Sequence, residues 1–189
     1  MTLIPTRVPT GEPVTVDALK AHLRITHASE DALLGELIAA ARQTVEREAG
    51  VACLDQGFRL LLDALPGHGL VRLPVHPVGQ VTAITVYDAE GNPSDIDVPT
   101  TVLDGYAVPP RLQFRQLPPT GRCINGIEID FDAGFGSTAA EVPDTLKRAI
   151  LLAAAHWYEF RAELAASDQP AAYPAGFHGL LTPWRRMRL

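Results

Sequence analysis

The chain has 189 residues, of which 47% are hydrophobic and 20% are charged, and its formal net charge is −6. This apolar content excludes general disorder, and the length is sufficient for one buried core, so we expect a single domain, with two compact lobes as the alternative. No apolar stretch reaches the roughly 18 residues that cross a bilayer, and the N-terminus lacks a signal-peptide pattern. We therefore expect a protein made in the cytoplasm, with no membrane partner.

The first 50 residues predict an extended arm followed by a pair of helices. Prolines and a glycine in residues 1–13 disfavour a helix there. Within residues 14–50, Thr15 is a candidate N-cap for a short helix, and Ser29 is a candidate N-cap for a longer one that ends at Gly50. The longer helix has an apolar face at helical spacing, formed by Leu33, Leu34, Leu37, Ile38, Ala41 and Val45.

Residues 54–132 predict a β-rich insertion. From Leu54 onward apolar residues recur at every second position, in short segments separated by prolines and glycines. Short segments of this kind are typical of a small antiparallel sheet or a partial barrel. The predicted strands are residues 58–62, 70–73, 81–87, 101–103, 111–114 and 126–131.

The C-terminal part predicts one long helix and a flexible docking tail. Pro143 suits a first helical turn, and an apolar stripe continues the helix over residues 143–165, a length of roughly 34 Å. We expect this helix to pack against the second N-terminal helix and so to close the fold around the insertion. Residues 166–189 begin with an alanine- and proline-rich stretch that favours a loose segment. The predicted fold class is α+β, a helical bundle with an inserted antiparallel sheet or partial barrel.

The sequence contains no motif that indicates catalysis. It has no phosphate-binding or dinucleotide-binding glycine loop, no His-x-x-x-His pair, and no recognisable nucleophile–histidine–acid pattern. Cys53 and Cys123 are far apart and are expected to be reduced. We therefore predict a protein that is not an enzyme and that uses no cofactor and no metal.

Three carboxylates lie on one face of a predicted strand. Glu128, Asp130 and Asp132 follow the period of two. One interpretation is a divalent-cation site, as in a small metal-dependent hydrolase. The other is an acidic face exposed to solvent or to a channel.

The charge is unevenly distributed along the chain. Residues 51–142 hold 11 acidic and five basic side chains, whereas residues 143–189 hold six basic and four acidic ones. A module that binds nucleic acid would carry a basic stripe instead, so the acidic middle disfavours that class.

Aromatic, methionine and arginine side chains interleave at the C-terminus, and Trp157 lies on the long helix before it. These residue types are enriched in protein interfaces. We predict docking onto a partner protein, with a frayed terminus or contact with DNA or a membrane as alternatives. The candidate interface residues are Trp157, Trp184, Arg185, Arg186, Met187, Arg188 and Leu189.

Two parts of the chain carry a resemblance to a known family. The first part comprises residues 14–25 (VTVDALKAHLRI), 30–34 (EDALL) and 38–42 (IAAAR); the second comprises residues 142–152 (VPDTLKRAILL) and 156–159 (HWYE). In this order and spacing they resemble the opening and closing helices of the head–tail connector (adaptor) proteins of tailed phages. Related proteins occur in prophages and in gene transfer agents.

The resemblance implies a structural role without catalysis. Connectors of this kind form a ring, usually of twelve copies, that binds the portal protein, extends the DNA channel and provides a platform for the next tail-side ring. Double-stranded DNA would pass through without sequence-specific binding. The resemblance places the protein in the host cytoplasm during assembly and then at the head–tail junction. A stopper or tail-terminator ring protein is the alternative within the same class.

Overall fold

The structure, a computed structural model, describes residues 1–119, 121–160 and 173–185. Its contacts divide the chain into two compact units. Unit 1 takes Met1–Pro9 and Asp55–Phe135, and unit 2 takes Thr10–Leu54 together with the described residues from Gly136 onward. Unit 1 consists of strands and unit 2 consists of helices, which confirms the predicted α+β class.

A five-stranded antiparallel sheet forms the larger part of unit 1. In spatial order its strands are β1 (Thr2–Arg7), β2 (Gln56–Leu62), β8 (Ile127–Ala133), β4 (Val78–Tyr87) and β5 (Pro93–Asp95). The central strand β8 alternates buried and half-buried residues, with Ile127, Ile129 and Phe131 inside. Phe131 lies opposite Phe58 of β2, and the two rings stack with their centroids 5.6 Å apart. Such cross-strand pairs of aromatic side chains stabilise the register.

The second sheet of unit 1 has three strands, in the order β3 (Leu70–Arg72), β7 (Arg111–Phe114) and β6 (Thr101–Asp104). A short 3-10 turn, Val98–Thr100, precedes β6. One face of the sheet is buried through Val71 and Leu112. The β6–β7 connection requires glycine at Gly105, because a Cβ there would overlap the carbonyl oxygen of Val78.

Among its described residues, unit 2 contains four helices: α1 (Val16–Leu23), α2 (Asp31–Ala49), α3 (Asp144–Glu159) and the short α4 (Phe177–Leu181). The Thr15 side chain caps α1 by accepting the Ala18 N–H at 3.1 Å, and Gly50 ends α2 with φ 72°, as predicted. The predicted Ser29 cap is wrong. α2 begins two residues later, and the Ser29 hydroxyl is bonded to His27 Nδ1 at 2.8 Å.

The expected packing of the long helix on the second N-terminal helix is confirmed. Leu34 and Ile38 of α2 and Leu146 and Ala149 of α3 are almost fully buried. Alanines at the contact let the helix axes approach closely, and each buried leucine or isoleucine contributes about 1.5–3 kcal/mol.

The described part of unit 2 buries one charged side chain. Arg42 of α2 is 7% exposed, and its guanidinium donates to Glu12 Oε2 and to Glu46 Oε2, each at 2.8 Å. Glu46 Oε1 also accepts the Cys53 N–H at 2.9 Å. Burial opposes the charge on Arg42, but these bonds outweigh it and raise the pKa of Arg42. The network therefore fixes the segments before α1 and after α2 against the middle of α2.

The C-terminal elements differ from the prediction in two ways. α3 ends at Glu159, where the Phe160 N–H bonds to the His156 carbonyl, and residues 161–165 of the predicted helix lie outside the described residues. The loose segment expected over 166–189 is interrupted by α4 and a 3-10 turn, Thr182–Trp184. The physical reason is apolar burial, since Phe177 and Leu181 are fully buried in unit 2.

Candidate interaction surfaces

The three carboxylates predicted from the sequence lie on one face of β8, as expected, and arginines from two other strands of the sheet pair with them. Arg59 of β2 binds both oxygens of Asp130, at 2.7 and 2.8 Å, and lies 3.2 Å from Glu128. Arg7 of β1 binds Asp132 at 2.8 Å. The strand registers cause this pairing, because Arg59 lies directly opposite Asp130.

The pairing shifts the titration of these groups. The hydrogen bonds to Asp130 raise the pKa of Arg59. Burial opposes ionisation of Asp132, but hydrogen bonds from Gln80 and Arg7 outweigh it and lower the pKa of Asp132 below its usual value. This acidic face is therefore a partly exposed set of ion pairs within the sheet, and its negative charge is partly compensated.

The described residues contain no group of three or more histidine, cysteine or carboxylate side chains that could hold a metal ion. The cation-site interpretation of Glu128, Asp130 and Asp132 thus gains no support from the geometry. Both cysteines are free, and Cys53 is buried. Burial and the nearby Glu46 charge raise the pKa of the Cys53 thiol, which makes it a poor nucleophile.

The described end of the predicted docking tail is bonded to unit 2. The Trp184 indole N–H donates to Thr145 Oγ1 of α3 at 3.1 Å. Arg185 donates to the Glu48 side chain at 2.6 Å and to the Glu48 carbonyl oxygen at 3.2 Å, at the end of α2. These contacts fix the place from which the C-terminus leaves unit 2.

The other predicted interface residues divide into two groups. Trp157 is half-buried on α3. Arg186, Met187, Arg188 and Leu189 lie outside the described residues. The assignment of all these residues to an interface stays a prediction.

Sequence reasoning missed a set of exposed apolar side chains in unit 1. Tyr106 is 89% exposed in the β6–β7 loop, and Val108 and Leu117 are each 50% exposed. A solitary tyrosine followed by alanine, valine and proline gives no periodic signal, so the sequence did not identify this loop as an exposed apolar surface. None of the helices in the described part of the chain is long and apolar enough to cross a membrane.

Comparisons with known proteins give consistent results. The family model described as phage gp6-like head–tail connector protein matches residues 13–76. We found no match among curated protein sequences.

Solved structures also match over the whole chain, and three of these matches are described below. The first, a chain from the neck of an empty gene transfer agent (GTA) particle computed with C6 symmetry, is 31% identical, with a TM-score of 0.84. The second, from the virion of a native GTA particle, is 32% identical, with a TM-score of 0.85. The third, from the neck of a native GTA particle computed with C12 symmetry, is 31% identical, with a TM-score of 0.81. Each match covers 100% of this chain and 97% of the other.

The family model matches α1, α2 and the first strands after them, which includes the opening helices that carry the sequence resemblance. The structural matches extend the likeness through β8 and α3 to the C-terminal elements. The chain therefore belongs to the gp6-like head–tail connector family.

Proposed function

We propose that this chain is a structural neck protein of a phage or phage-like particle, and that twelve copies form a ring at the head–tail junction. The observation that carries this proposal is the full-length likeness to a chain of a GTA particle neck computed with C12 symmetry, at 31% identity. Family membership agrees with a role in assembly rather than in catalysis.

In this proposal the ring binds the portal protein on one side through the C-terminus of each copy. The bonds of Trp184 to Thr145 and of Arg185 to Glu48 support separate roles for two parts of the C-terminal segment. Trp184 and Arg185 hold the segment on unit 2, and residues 186–189 reach the portal. This basic and apolar segment has the residue types that interfaces favour.

The ring also extends the DNA channel and supports the next tail-side ring. Each copy has a net charge of −6, and this negative charge opposes adhesion of passing DNA because it repels the phosphate backbone. The arginine-paired face around Asp130 contributes less to this repulsion than its three carboxylates suggest.

A portal-binding assay tests the proposal. We expect deletion of residues 186–189 to abolish capture by immobilised portal protein and to leave the melting temperature unchanged, because the Trp184 and Arg185 contacts remain. Arg47→Ala, which removes an exposed arginine from α2, is the matched control and should bind normally. Undiminished capture of the truncated chain would refute the tail assignment. Binding to the next tail-side ring protein without binding to portal would place the chain among the stopper or terminator proteins.

A further inference from the structure

The β6–β7 loop of unit 1 exposes two apolar side chains that are two positions apart in sequence. Tyr106 is 89% exposed and Val108 is 50% exposed, and Val102 on β6 is 48% exposed. Because so little of the Tyr106 side chain is buried, its truncation should not destabilise the folded chain. Large aromatic side chains of this kind are the commonest anchors of protein interfaces.

The loop is held in one conformation by the rest of unit 1. The Gly105 carbonyl oxygen accepts the Val78 N–H at 3.0 Å, and the Pro110 carbonyl oxygen accepts the Leu73 N–H at 2.9 Å. Both ends of the 105–110 loop are therefore bonded to neighbouring segments. A side chain presented on a fixed backbone loses less conformational entropy when it binds.

A cavity of about 510 Å³ lies elsewhere in the same unit. Prolines and aliphatic side chains supply most of its wall, and Arg115 also lines it. The apolar lining residues are Ile96, Pro99, Leu117, Pro118 and Pro119. Arg115 is exposed and makes no hydrogen bond or ion pair with the described residues. Such a lining suits an aromatic ring that carries one polar atom, since the ring packs on prolines and the guanidinium donates to the hydroxyl.

The loop and the cavity lie at opposite ends of one hairpin. β6 and β7 pair over four residues, from Thr101 opposite Phe114 to Asp104 opposite Arg111. The loop connects them at the Asp104 end, whereas the cavity is lined by residues just before β6 and just after β7. Four residues of strand span about 13 Å, so one copy cannot place its own Tyr106 in its own cavity.

We infer that the Tyr106 loop of one copy docks into the Pro99–Leu117 cavity of the next copy, and that this head-to-tail contact joins neighbours in the ring. A surface that carries a projection at one end and a matching cavity at the other forms a heterologous interface, which closes into a ring when the rotation permits. The C6 and C12 symmetry of the necks that contain similar chains favours a second copy as the occupant. The inference rests on the proposed ring.

Incorporation into particles gives the first test. Particles are purified from cells that make either the wild-type chain or a variant, and the chain is quantified by immunoblot against the capsid protein. We expect Tyr106→Ala to lower incorporation by at least about tenfold, as is typical for loss of an aromatic anchor. Ile124→Ala removes another exposed apolar side chain, 69% exposed, from unit 1 and should incorporate normally. Wild-type incorporation of Tyr106→Ala would overturn the inference. Equal melting temperatures would show that both variants fold.

Crosslinking tests the direction of the contact. In a Cys123→Ser background, the pair Val108→Cys and Leu117→Cys, which keeps the Tyr106 anchor, is treated in purified particles with a short bis-maleimide. A head-to-tail contact gives a ladder of dimers, trimers and larger species, whereas each single cysteine variant stays monomeric on the gel. A product that stops at the dimer, or no product from particles that contain the chain, would overturn the inference and leave the ring intact. Absence of the wild-type chain from particles would instead contradict the proposed function.

Discussion

The two units of this connector obtain their stability from different kinds of contact. In unit 2 the core lies between α2 and α3, and its charged network is built around the buried Arg42. In unit 1 the core lies between paired strands, and Arg59 and Asp130 remain partly exposed, at 41% and 24%. Burial makes an ion pair costly to break, while exposure to water makes it nearly dispensable. The largest effects of charge substitutions should therefore occur in unit 2.

Core truncation should have the largest effect and should reveal how far the units are independent. Ile38→Ala in α2 and Ile129→Ala in β8 remove side chains that are 1% and 0% exposed, and each should lower the free energy of unfolding by about 3 kcal/mol. Amide hydrogen exchange should show faster exchange in α2 and α3 for the first variant and in the five-stranded sheet for the second. Equally faster exchange in both units for either variant would contradict the independence of the two units. It would favour the single domain expected from the sequence.

Removal of the buried arginine should come next. Arg42→Ala leaves Glu12 and Glu46 facing each other in a partly buried site, so we expect a loss of about 3 kcal/mol in the free energy of unfolding, measured in urea. Arg47→Ala changes the same residue type on the exposed side of the same helix and should cost less than about 0.5 kcal/mol. Equal urea midpoints for the two variants would show that the Arg42 network stabilises nothing.

Acid should weaken unit 1 through Asp132. Its pKa in the folded chain is lowered by bonds from Gln80 and Arg7, so the stabilisation is present above the ordinary value of 3.8. As the pH falls below 3.8 and through the lower pKa of the folded chain, Asp132 is protonated and its ion pair with Arg7 breaks. The stabilisation is then lost. Asp132→Asn should reduce the decline in the free energy of unfolding below pH 4, measured in urea, by less than about 1 kcal/mol because the pair is partly exposed. Asp97→Asn, on the exposed β5–β6 connection, should leave the decline unchanged. An identical acid profile for Asp132→Asn and the wild type would contradict the assignment.

The smallest effect should come from the C-terminal contact on α3. Thr145→Ala removes the acceptor of the Trp184 indole N–H and should cost about 1 kcal/mol or less. The measurement is proteolysis of the C-terminal segment, which should be faster in Thr145→Ala and normal in Thr145→Ser, because serine keeps the hydroxyl. Unchanged proteolysis of the alanine variant would mean that the bond does not hold the segment.

The same contrast between the units explains what the sequence could predict. α2 was predictable because its apolar face repeats within one helix, and Gly50 marks its end. β1 was expected as an extended arm because Pro5 obscures a strand that depends on pairing with β2. The short strand β5 has the sequence Pro-Ser-Asp, which shows no apolar alternation, so no pattern predicted it.

The candidate surfaces were predictable to the extent that their residues are neighbours in the chain. The common face of Glu128, Asp130 and Asp132 follows from the period of two. Their partners Arg7 and Arg59 are over 60 residues away, and only the strand register brings them together. For the same reason the binding of Arg185 to Glu48, across 137 positions, was not visible in the sequence.

Imaging of the particle neck by electron cryomicroscopy, reconstructed without imposed symmetry, tests the central proposal most directly. The account predicts a ring of twelve copies of this chain at the head–tail junction, with the Tyr106 loop of each copy against its neighbour. A complete neck that lacks the chain, or copies that occupy another place in the particle, would contradict it.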